Sequence, residues 1–393
     1  MERNNFINYL MEFPNFLSLF ISSFIITTVS PILLEISKYF GVSPENMNLI
    51  ITFATTGSII GIIALIFINK KFNNTNVVIS AYILTIPTLI GLILVTSLGV
   101  FYILYFILGF LFGIIFINAN TSMIKGMVKN KDSVVNLGHG FYAFGAIAAS
   151  FLASSLVNKQ MNWKIIYYIV IIFVLIALLL HIIISKKVKL NLLSDQKNIS
   201  IKEIFRYKDK NVYLLFTVIL MLFYIISEVT IFSWAPTFFR IEKMFDLYSA
   251  SFVVSIFWIG ILIGRLIISF LSYKFKADSL LIGLSIISIT GLVFAVFLTG
   301  QNINFIGAGF IGLGFSGISP LLISTAGSIF SRGKDISINI LFIVGLTGSA
   351  LTPFLIKLVS SYSLVLSMAM PILFMGALII FVLIRKYYNR TFY

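Results

Sequence analysis

The feature that most constrains this chain is its series of apolar runs, each about 20 residues long. A helix of that length crosses roughly 30 Å of hydrocarbon, whereas the strands of a membrane barrel would read as shorter, alternating segments. Hydrophobic residues make up 59% of the chain and charged residues only 10%, a balance that no single water-soluble core could enclose. The sequence therefore predicts an all-α membrane protein.

Twelve of these runs are long enough to cross a membrane as helices. We predict spans at 16–36, 47–69, 76–97, 100–122, 135–157, 163–184, 212–235, 248–273, 279–299, 303–326, 336–358 and 364–385. The first run follows Glu12 and Pro14 instead of a basic segment, and it lacks a small-residue cleavage site. We therefore expect it to stay in the protein and not to be removed as a signal peptide.

An internal repeat organises the twelve runs into two sets of six. A constant offset of 203 residues, with no gap, pairs Asp132 with Asp335, Asn136 with Asn339, Gly145 with Gly348, Ser30 with Ser233, Gly57 with Gly260, Gly61 with Gly264, Lys71 with Lys274, Phe72 with Phe275, Gly109 with Gly312, and Phe112 with Phe315. Parallel repeats of this kind are typical of one large class of secondary transporters. We predict two six-helix bundles, at residues 1–184 and 212–393, joined by a cytoplasmic linker at 185–211.

The basic residues lie mainly on one side of the predicted membrane. Of the 28 Lys and Arg residues, 21 fall in the segments on the side of the two termini, 6 fall in the loops of the other side, and Arg265 lies within a run. Since cytoplasmic loops are enriched in Lys and Arg, we predict a multi-pass protein of the cytoplasmic (inner) membrane with both termini in the cytoplasm. The net charge of +15 then reflects orientation, and no nucleic-acid partner is expected.

Two motifs carry a resemblance to a known family. They are Asn136-x-x-His139-x-x-Tyr142-x-x-Gly145-Ala146 in the fifth run, and FWIGILIGRLIISFLSYKF with Gly260, Gly264, Arg265 and Lys274 in the eighth. Both resemble the fucose-permease-like (fucose:proton symporter) branch of the major facilitator superfamily, and the stretch ISKYFGVSPENMNLIITFATTG is similar to its TsgA-type members. The resemblance implies two six-helix bundles that open alternately to either side of the membrane and carry a small solute.

One loop departs from the pattern of that family. The loop between the second and third spans usually carries an Asp and an Arg, but here it reads FINKKFNNTN, with neither. The equivalent loop of the second half, SYKFKAD, keeps Lys274 but not the upstream acid. A gating role does not transfer from this motif as a whole.

Glu228 is the candidate for proton coupling. Ionisable groups inside a span are costly, by about 2.5 to 3.5 kcal/mol for a central Arg, Lys or Asp, and they usually face a bundle interior or a wet cavity. Glu228 lies in the outer half of the seventh run, with Tyr224 one turn before it on the same face. The carboxylate could exchange protons as the cavity alternates, or it could be a structural group that is hydrogen-bonded near the outer interface.

Arg265 is the candidate for solute binding or gating. It lies nine residues before Lys274, which places it about 13 Å deeper in the membrane. Trp258 shares its helical face and could stack on a sugar ring. Arg265 could bind the solute, or it could lock an inner gate by pairing with Asp132 or Asp335. We assign the gate to Asp132, Asp335 and Lys274.

Polar residues in the fifth run form a third group of candidates. Asn136 and His139 belong to a stripe of small and polar residues, which is expected against another helix or a cavity and not against lipid. Tyr142 belongs to the same motif, and Asn339 repeats Asn136 in the second half. His139 is either a packing or gate residue or a residue that couples protons or substrate.

The fourth run offers amides where a carboxylate would be expected in a proton-coupled sugar permease. Asn118 and Asn120 can bind hydroxyl groups, but they cannot titrate. Any proton coupling would therefore fall on Glu228, His139 or Glu35.

We expect a secondary transporter that moves a small polar solute, such as a sugar, with a proton or another ion. Two alternatives stay open: an efflux antiporter for drugs or metabolites, and a protein that senses a ligand without moving it. No nucleophile, base and orienting acid converge on one run, so no enzymatic activity, cofactor or metal site is expected. We expect a monomer whose partners are the lipid bilayer, the solute and the coupling ion.

Overall fold

The computed structural model describes residues 2–68, 72–125, 131–187, 208–272, 274–329 and 334–392. The helices, numbered in chain order, are α1 (Glu2–Phe40), α2 (Pro44–Met47), α3 (Leu49–Ile68), α4 (Asn74–Leu94), α5 (Leu98–Lys125), α6 (Lys131–Asn158), α7 (Ile165–Lys187), α8 (Lys208–Ile241), α9 (Leu247–Leu271), α10 (Ala277–Val296), α11 (Gln301–Phe315), α12 (Ile318–Ile329), α13 (Lys334–Ser360) and α14 (Leu364–Phe392). Every regular element within these ranges is an α-helix, which confirms the predicted class.

Within the described residues, twelve helical segments are long and apolar enough to cross a membrane, as predicted. The second consists of α2 and α3, the tenth consists of α11 and α12, and each of the others lies within one helix. Helices suit this environment because hydrocarbon offers no hydrogen bonds, so every backbone N–H and C=O must pair within its own segment.

Several segments differ from their predicted extent. The first was expected at 16–36, but α1 covers Glu2–Phe40. The seventh was expected to end at residue 235, before Pro236, but α8 continues through that proline to Ile241. A proline removes one helical hydrogen bond, a loss that a long membrane helix tolerates when its neighbours compensate. The tenth was expected to be continuous, but it is interrupted at Ser316 and Gly317. Most of the predicted linker, at 188–207, lies outside the described residues.

The chain divides into two compact units, Met1–Ser194 and Asp195–Tyr393. In the first unit, α1 packs along α6, α5 packs along α3 and α4, and α7 packs against α4 and α1. In the second unit, α8 packs along α13, α11 packs along α9 and α10, and α14 packs against α10 and α8. Each helix pair of the first unit therefore has its counterpart 203 residues later, so the repeat is present in the packing as well as in the sequence.

Paired glycines form an equivalent close crossing in each unit. A Cβ atom on Gly109 of α5 would lie 1.9 Å from the carbonyl oxygen of Ala54 in α3, and one on Gly312 of α11 would lie 2.1 Å from that of Phe257 in α9. Ala54 and Phe257 are themselves separated by 203 residues. Because only glycine lets two helix backbones approach so closely, the repeat retains glycine where the same crossing recurs.

The second span of each unit also begins with the same capping device. The side chain of Ser43 accepts a hydrogen bond from the backbone N–H of Asn46 at the start of α2. Asp246, 203 residues later, accepts one from the N–H of Ser249 at the start of α9. Each cap satisfies an N–H group that the first helical turn leaves unpaired.

Candidate functional site

The polar cluster of the second unit is centred on Glu228 in α8. Tyr224 lies four residues earlier on the same helical face, and its hydroxyl donates a hydrogen bond to Glu228 Oε1 at 2.6 Å. The tyrosine is buried, whereas the carboxylate side chain is partly buried. Tyr224 therefore holds one carboxylate oxygen in place and leaves the other without a constraint from this bond.

Arg265 in α9 interacts electrostatically with Glu228. Its side chain is partly buried, and the two residues carry opposite charges when both are ionised. Such an attraction is stronger away from bulk water than at an exposed surface. Protonation of Glu228 would remove it, so the charge state of the carboxylate and the freedom of the guanidinium are linked.

Aromatic rings border this pair of charges. Trp258, two helical turns before Arg265 in α9, is buried, and its ring centroid lies 6.3 Å from that of Phe232 in α8. The ring of Tyr224 meets Phe315 of α11 nearly edge on, with the centroids 5.7 Å apart. Rings of this kind exclude water and offer flat apolar faces to a ligand. A carboxylate, a guanidinium, a phenol and an indole thus lie on the two packed helices α8 and α9 of the second unit. We call this set, Tyr224, Glu228, Trp258 and Arg265, the Glu228 cluster.

The two amides of the fourth span are bound to their own helix. The Nδ2 group of Asn118 donates to the carbonyl oxygen of Ile114 at 3.0 Å, and that of Asn120 donates to the carbonyl oxygen of Phe116 at 2.9 Å. Both side chains are buried. Their amide protons are therefore partly committed to the backbone of α5, which makes the carbonyl oxygens the more available groups for a solute.

His139 and Tyr142 lie in the first unit, on α6. Both are partly buried. Tyr142 packs against a buried apolar cluster that contains Phe16 and Met123, and its ring meets Phe116 edge on at 6.1 Å. The surroundings of Tyr142 are thus those of a packing residue.

Several other predicted residues are placed only in part. Asn136 and Asp132 belong to α6, and Asn339 and Asp335 belong to α13, but their side chains lie outside what the structure describes. The proposed gate contacts of Arg265 with these acids fall outside it for the same reason. Lys274 is exposed in the turn between α9 and α10.

Glu35, the third residue considered for coupling, lies at the outer surface of its helix. Its Oε1 atom accepts a hydrogen bond from Lys38 Nζ at 3.0 Å, and the side chain of Lys38 is 71% exposed. Exposed ion pairs of this kind contribute about 0 to 1 kcal/mol. The contact is that of a surface pair and does not resemble the enclosed Glu228 cluster.

A buried ion pair in the second unit was not anticipated. Arg385 of α14 is fully buried, and its guanidinium binds the carboxylate of Asp278 at the start of α10. It also donates to Thr217 Oγ1 of α8 at 3.3 Å and lies 5.0 Å from the ring centre of Tyr213. The ion pair therefore ties three helices together. In the sequence, Arg385 is the last residue of the twelfth predicted run and counts among the 21 basic residues on the side of the termini.

The first unit ties the equivalent helices with neutral groups. Ser18 of α1 donates to the carbonyl oxygen of Pro14 at 2.7 Å, accepts from the Tyr82 hydroxyl of α4 at 2.7 Å, and lies 3.2 Å from His181 Nε2 of α7. A hydroxyl has only one proton to donate. Since Ser18 uses its proton on Pro14, Nε2 of His181 is the donor in its contact with Ser18.

Signals for both clusters were present in the sequence. His181 is one of two histidines in the chain and stands within the sixth apolar run, where an ionisable side chain is costly. Asp278 and Arg385 stand at the edges of the ninth and twelfth runs, at the same predicted side of the membrane. What the sequence lacked was the knowledge that these two helices are neighbours.

The first unit contains a small apolar cavity of about 40 Å³ between α1, α3 and α5. Its walls include Ile25, Val29, Leu108 and Phe112, with few polar atoms. The hydroxyl of Ser58, which also lines it, donates to the carbonyl oxygen of Gly109 at 3.0 Å. The cavity therefore offers mainly hydrocarbon contacts to an occupant.

The polar clusters differ from metal centres in composition. In the part of the chain that the structure describes, no three His, Asp or Glu side chains come together as metal ligands would. The Glu228 cluster combines one carboxylate with donors, an arrangement suited to hydrogen bonding and proton exchange.

Comparisons with known proteins give matches over most of the chain. The family model described as Major Facilitator Superfamily matches residues 16–339. The "Protein TsgA homolog" of Buchnera aphidicola subsp. Acyrthosiphon pisum is 26% identical over 343 residues, which is 86% of each chain.

Solved structures share the fold at low sequence identity. A structure of a D-xylose-proton symporter matches with a TM-score of 0.73 and 12% identity, over 94% of this chain and 97% of the other. FucP, solved in an outward conformation and described as a transporter of the same superfamily, matches with a TM-score of 0.64 and 19% identity, over 96% of this chain and 99% of the other. At these identities the likeness establishes the fold and not the substrate.

Proposed function

This chain belongs to the major facilitator superfamily, and from that premise we propose that it imports a small polar solute, such as a sugar, in symport with protons. The family resemblance seen in the fifth and eighth runs is confirmed, and the chain is a multi-pass membrane protein of a family of solute transporters. We further propose that the protein lies in the cytoplasmic membrane with both termini inside. The coupling to protons, the sugar as solute and the import direction also belong to the proposal. The charge distribution supports the orientation, and the fold shared with a D-xylose-proton symporter supports the proton and the sugar.

The observation that carries the proposal is the hydrogen bond from Tyr224 to Glu228, together with the electrostatic attraction between Glu228 and Arg265. A titratable carboxylate within a membrane span is expensive to maintain, which favours a functional role. The phenol fixes its position, and the guanidinium couples its charge to a second group. The three residues lie on two different helices, so a relative movement of α8 and α9 would alter their contact.

We assign the following sequence of events to these residues. In its ionised state, Glu228 attracts Arg265 and competes with the solute for the guanidinium. A proton taken up by Glu228 neutralises the carboxylate and frees Arg265 to donate hydrogen bonds to the solute. Release of the solute on the other side restores the competition and favours loss of the proton. Proton and solute then cross together, because each stabilises the state that binds the other.

Uptake into proteoliposomes tests this proposal. The purified protein is reconstituted, and uptake of radiolabelled D-xylose, L-fucose, D-glucose and uridine is measured with an acidic exterior. We expect one of the neutral hydroxylated compounds to accumulate above its external concentration, and a protonophore to abolish the accumulation. Uptake of every compound that ignores the pH gradient would contradict proton coupling.

The apolar lining of the small cavity in the first unit is the observation that bears on one alternative, which is export of a hydrophobic compound. Its walls match such a ligand better than a sugar, because they offer few hydrogen-bonding groups. Cells that overproduce the protein would then tolerate higher concentrations of hydrophobic cations such as ethidium. We expect no such resistance, whereas resistance together with an absence of sugar uptake would favour export.

A further inference from the structure

One face of α9 carries polar residues further outward than Trp258. At about 100° per residue, Ser255 lies about 60° around the helix from Trp258 and about 80° from Arg265. Ser251, one turn beyond Ser255, falls on the same face. A polar stripe on a membrane helix faces a cavity or another helix, since lipid offers it no hydrogen bonds. This stripe continues the Glu228 cluster toward the end at which α9 begins.

The hydroxyl of Ser255 is one of five buried side-chain hydroxyls that have no protein partner among the described residues. Its side chain is 1% exposed, and among the described residues no protein atom pairs with its Oγ. A serine in a helix can normally donate to a carbonyl oxygen three or four residues back. Buried serines elsewhere do so, such as Ser227 with Phe223 at 2.8 Å and Ser285 with Leu281 at 2.8 Å. The Ser255 hydroxyl makes no such bond to its own helix backbone.

A buried hydroxyl without a hydrogen-bond partner lowers the stability of the folded state by about 1 to 3 kcal/mol. That cost is recovered if the group pairs with a molecule that the protein binds. Ser255 lies one turn from the indole of Trp258, on the face that also holds Arg265. A solute lying on the indole would be within reach of the hydroxyl.

We propose that Ser255 binds a hydroxyl group of the transported solute and contributes to its selection. The class of solute follows from the cluster. Glu228 and Arg265 offset each other's charge, and a serine hydroxyl both donates and accepts hydrogen bonds. The site therefore suits a neutral, hydroxylated molecule with one apolar face, which covers Trp258 while its hydroxyl groups reach Ser255 and the charged pair. This inference rests on the proposed function and extends it to a named contact.

Cysteine labelling tests the exposure of Ser255 without knowledge of the solute. The chain has no cysteine, so Ser255→Cys introduces a single thiol. We expect this thiol in nanodisc-embedded protein to react with a hydrophilic maleimide, because its face meets a water-filled cavity during the transport cycle. The matched control is Thr230→Cys on α8, whose native hydroxyl is buried and bonded to the carbonyl oxygen of Ile226 at 2.7 Å. If Ser255→Cys reacts no faster than this control, the proposal fails.

Solute affinity provides the second measurement. For whichever of D-xylose, L-fucose, D-glucose or uridine the wild type takes up, Ser255→Ala should raise the half-saturating concentration about twofold to tenfold, the loss of one hydrogen bond. Ser227→Ala should leave it unchanged, because that hydroxyl is used by its own helix. Ser233 is as deeply buried and also lacks a partner among the described residues, but it lies about 140° around α8 from Glu228. Ser233→Ala should therefore also have no effect.

The outcomes separate this inference from the proposed function. Uptake by wild type with an unchanged half-saturating concentration in Ser255→Ala overturns the role of Ser255 and leaves the transport proposal intact. Labelling of Ser255→Cys without uptake of any of the four compounds supports a water-filled cavity at this face, while it contradicts the proposed solute class.

Discussion

The two units hold three equivalent helices together with different chemistry. In the second unit, the buried Arg385 and Asp278 form an ion pair that joins α14, α10 and α8. In the first unit, the corresponding helices α7, α4 and α1 meet at His181, Tyr82 and Ser18, which are joined by uncharged hydrogen bonds. The two units share the helix packing, but different residues stabilise it.

This difference shows which parts of the repeat are constrained by the fold. The glycines of the close crossings recur in both units because backbone contact permits no other residue there. Polar side chains can be replaced by other polar side chains that reach the same helices. In the described residues the second unit holds the buried ion pair of Arg385 with Asp278, and its Glu228 and Arg265 attract each other electrostatically. We therefore expect charge substitutions to act mainly through the second unit.

The largest effect is expected from breaking the ion pair. Asp278→Asn leaves the fully buried Arg385 without its counter-charge and should lower the free energy of unfolding by about 3 to 5 kcal/mol. The matched change in the first unit, Tyr82→Phe, removes one hydrogen bond to Ser18 and should cost about 1 kcal/mol. Thermal unfolding in detergent measures both. Equal losses would contradict the difference between the two clusters.

A double variant tests whether the uncompensated charge causes this loss of stability. Replacing both charged partners, as Asp278→Asn with Arg385→Met, removes the uncompensated charge as well as the pair. Buried ion pairs often give way to apolar residues with little loss, so most of the stability should return. Failure of the double variant to recover would show that Arg385 acts chiefly through Thr217 and Tyr213.

A smaller effect, equal in the two units, is expected at the paired glycines. Gly109→Ala and Gly312→Ala each place a methyl group against a backbone oxygen of the neighbouring helix and should each cost about 1 to 3 kcal/mol. Gly283→Ala in α10 is the control, since nothing lies within 4 Å of its added methyl group. It should be neutral or slightly stabilising. A loss of stability in only one of the two glycine variants would contradict the structural equivalence of the two crossings.

Most of the fold could be predicted from the sequence, because membrane helices are recognisable as long apolar runs. Each apolar run satisfies its own backbone, so its existence depends on local composition and little on tertiary contacts. The offset of 203 residues likewise predicted which glycines would be equivalent. The ends were harder: α8 runs through Pro236 to Ile241, because the packing of a long helix outweighs the one hydrogen bond that a proline removes.

The site was predictable only where its residues are close along the chain. Tyr224 and Glu228 are one helical turn apart, so their contact follows from helix geometry. Arg385 and Asp278 are 107 residues apart, and His181 and Ser18 are 163 apart. Such contacts depend on which helices are neighbours, and hydropathy does not contain that information. The unpaired state of the Ser255 hydroxyl, likewise, is visible only once the surrounding helices are in place.

The Glu228→Gln variant in proteoliposomes tests the central claim, that proton coupling resides in the Glu228 cluster of the second unit. Glutamine keeps the shape and can still accept the hydrogen bond from Tyr224, but it cannot carry the proton. The measurement compares uphill accumulation under a pH gradient with exchange of labelled for unlabelled solute at equal concentrations. We predict that Glu228→Gln abolishes accumulation and retains exchange, because exchange requires no net movement of protons. Accumulation at the wild-type level in this variant would contradict the account.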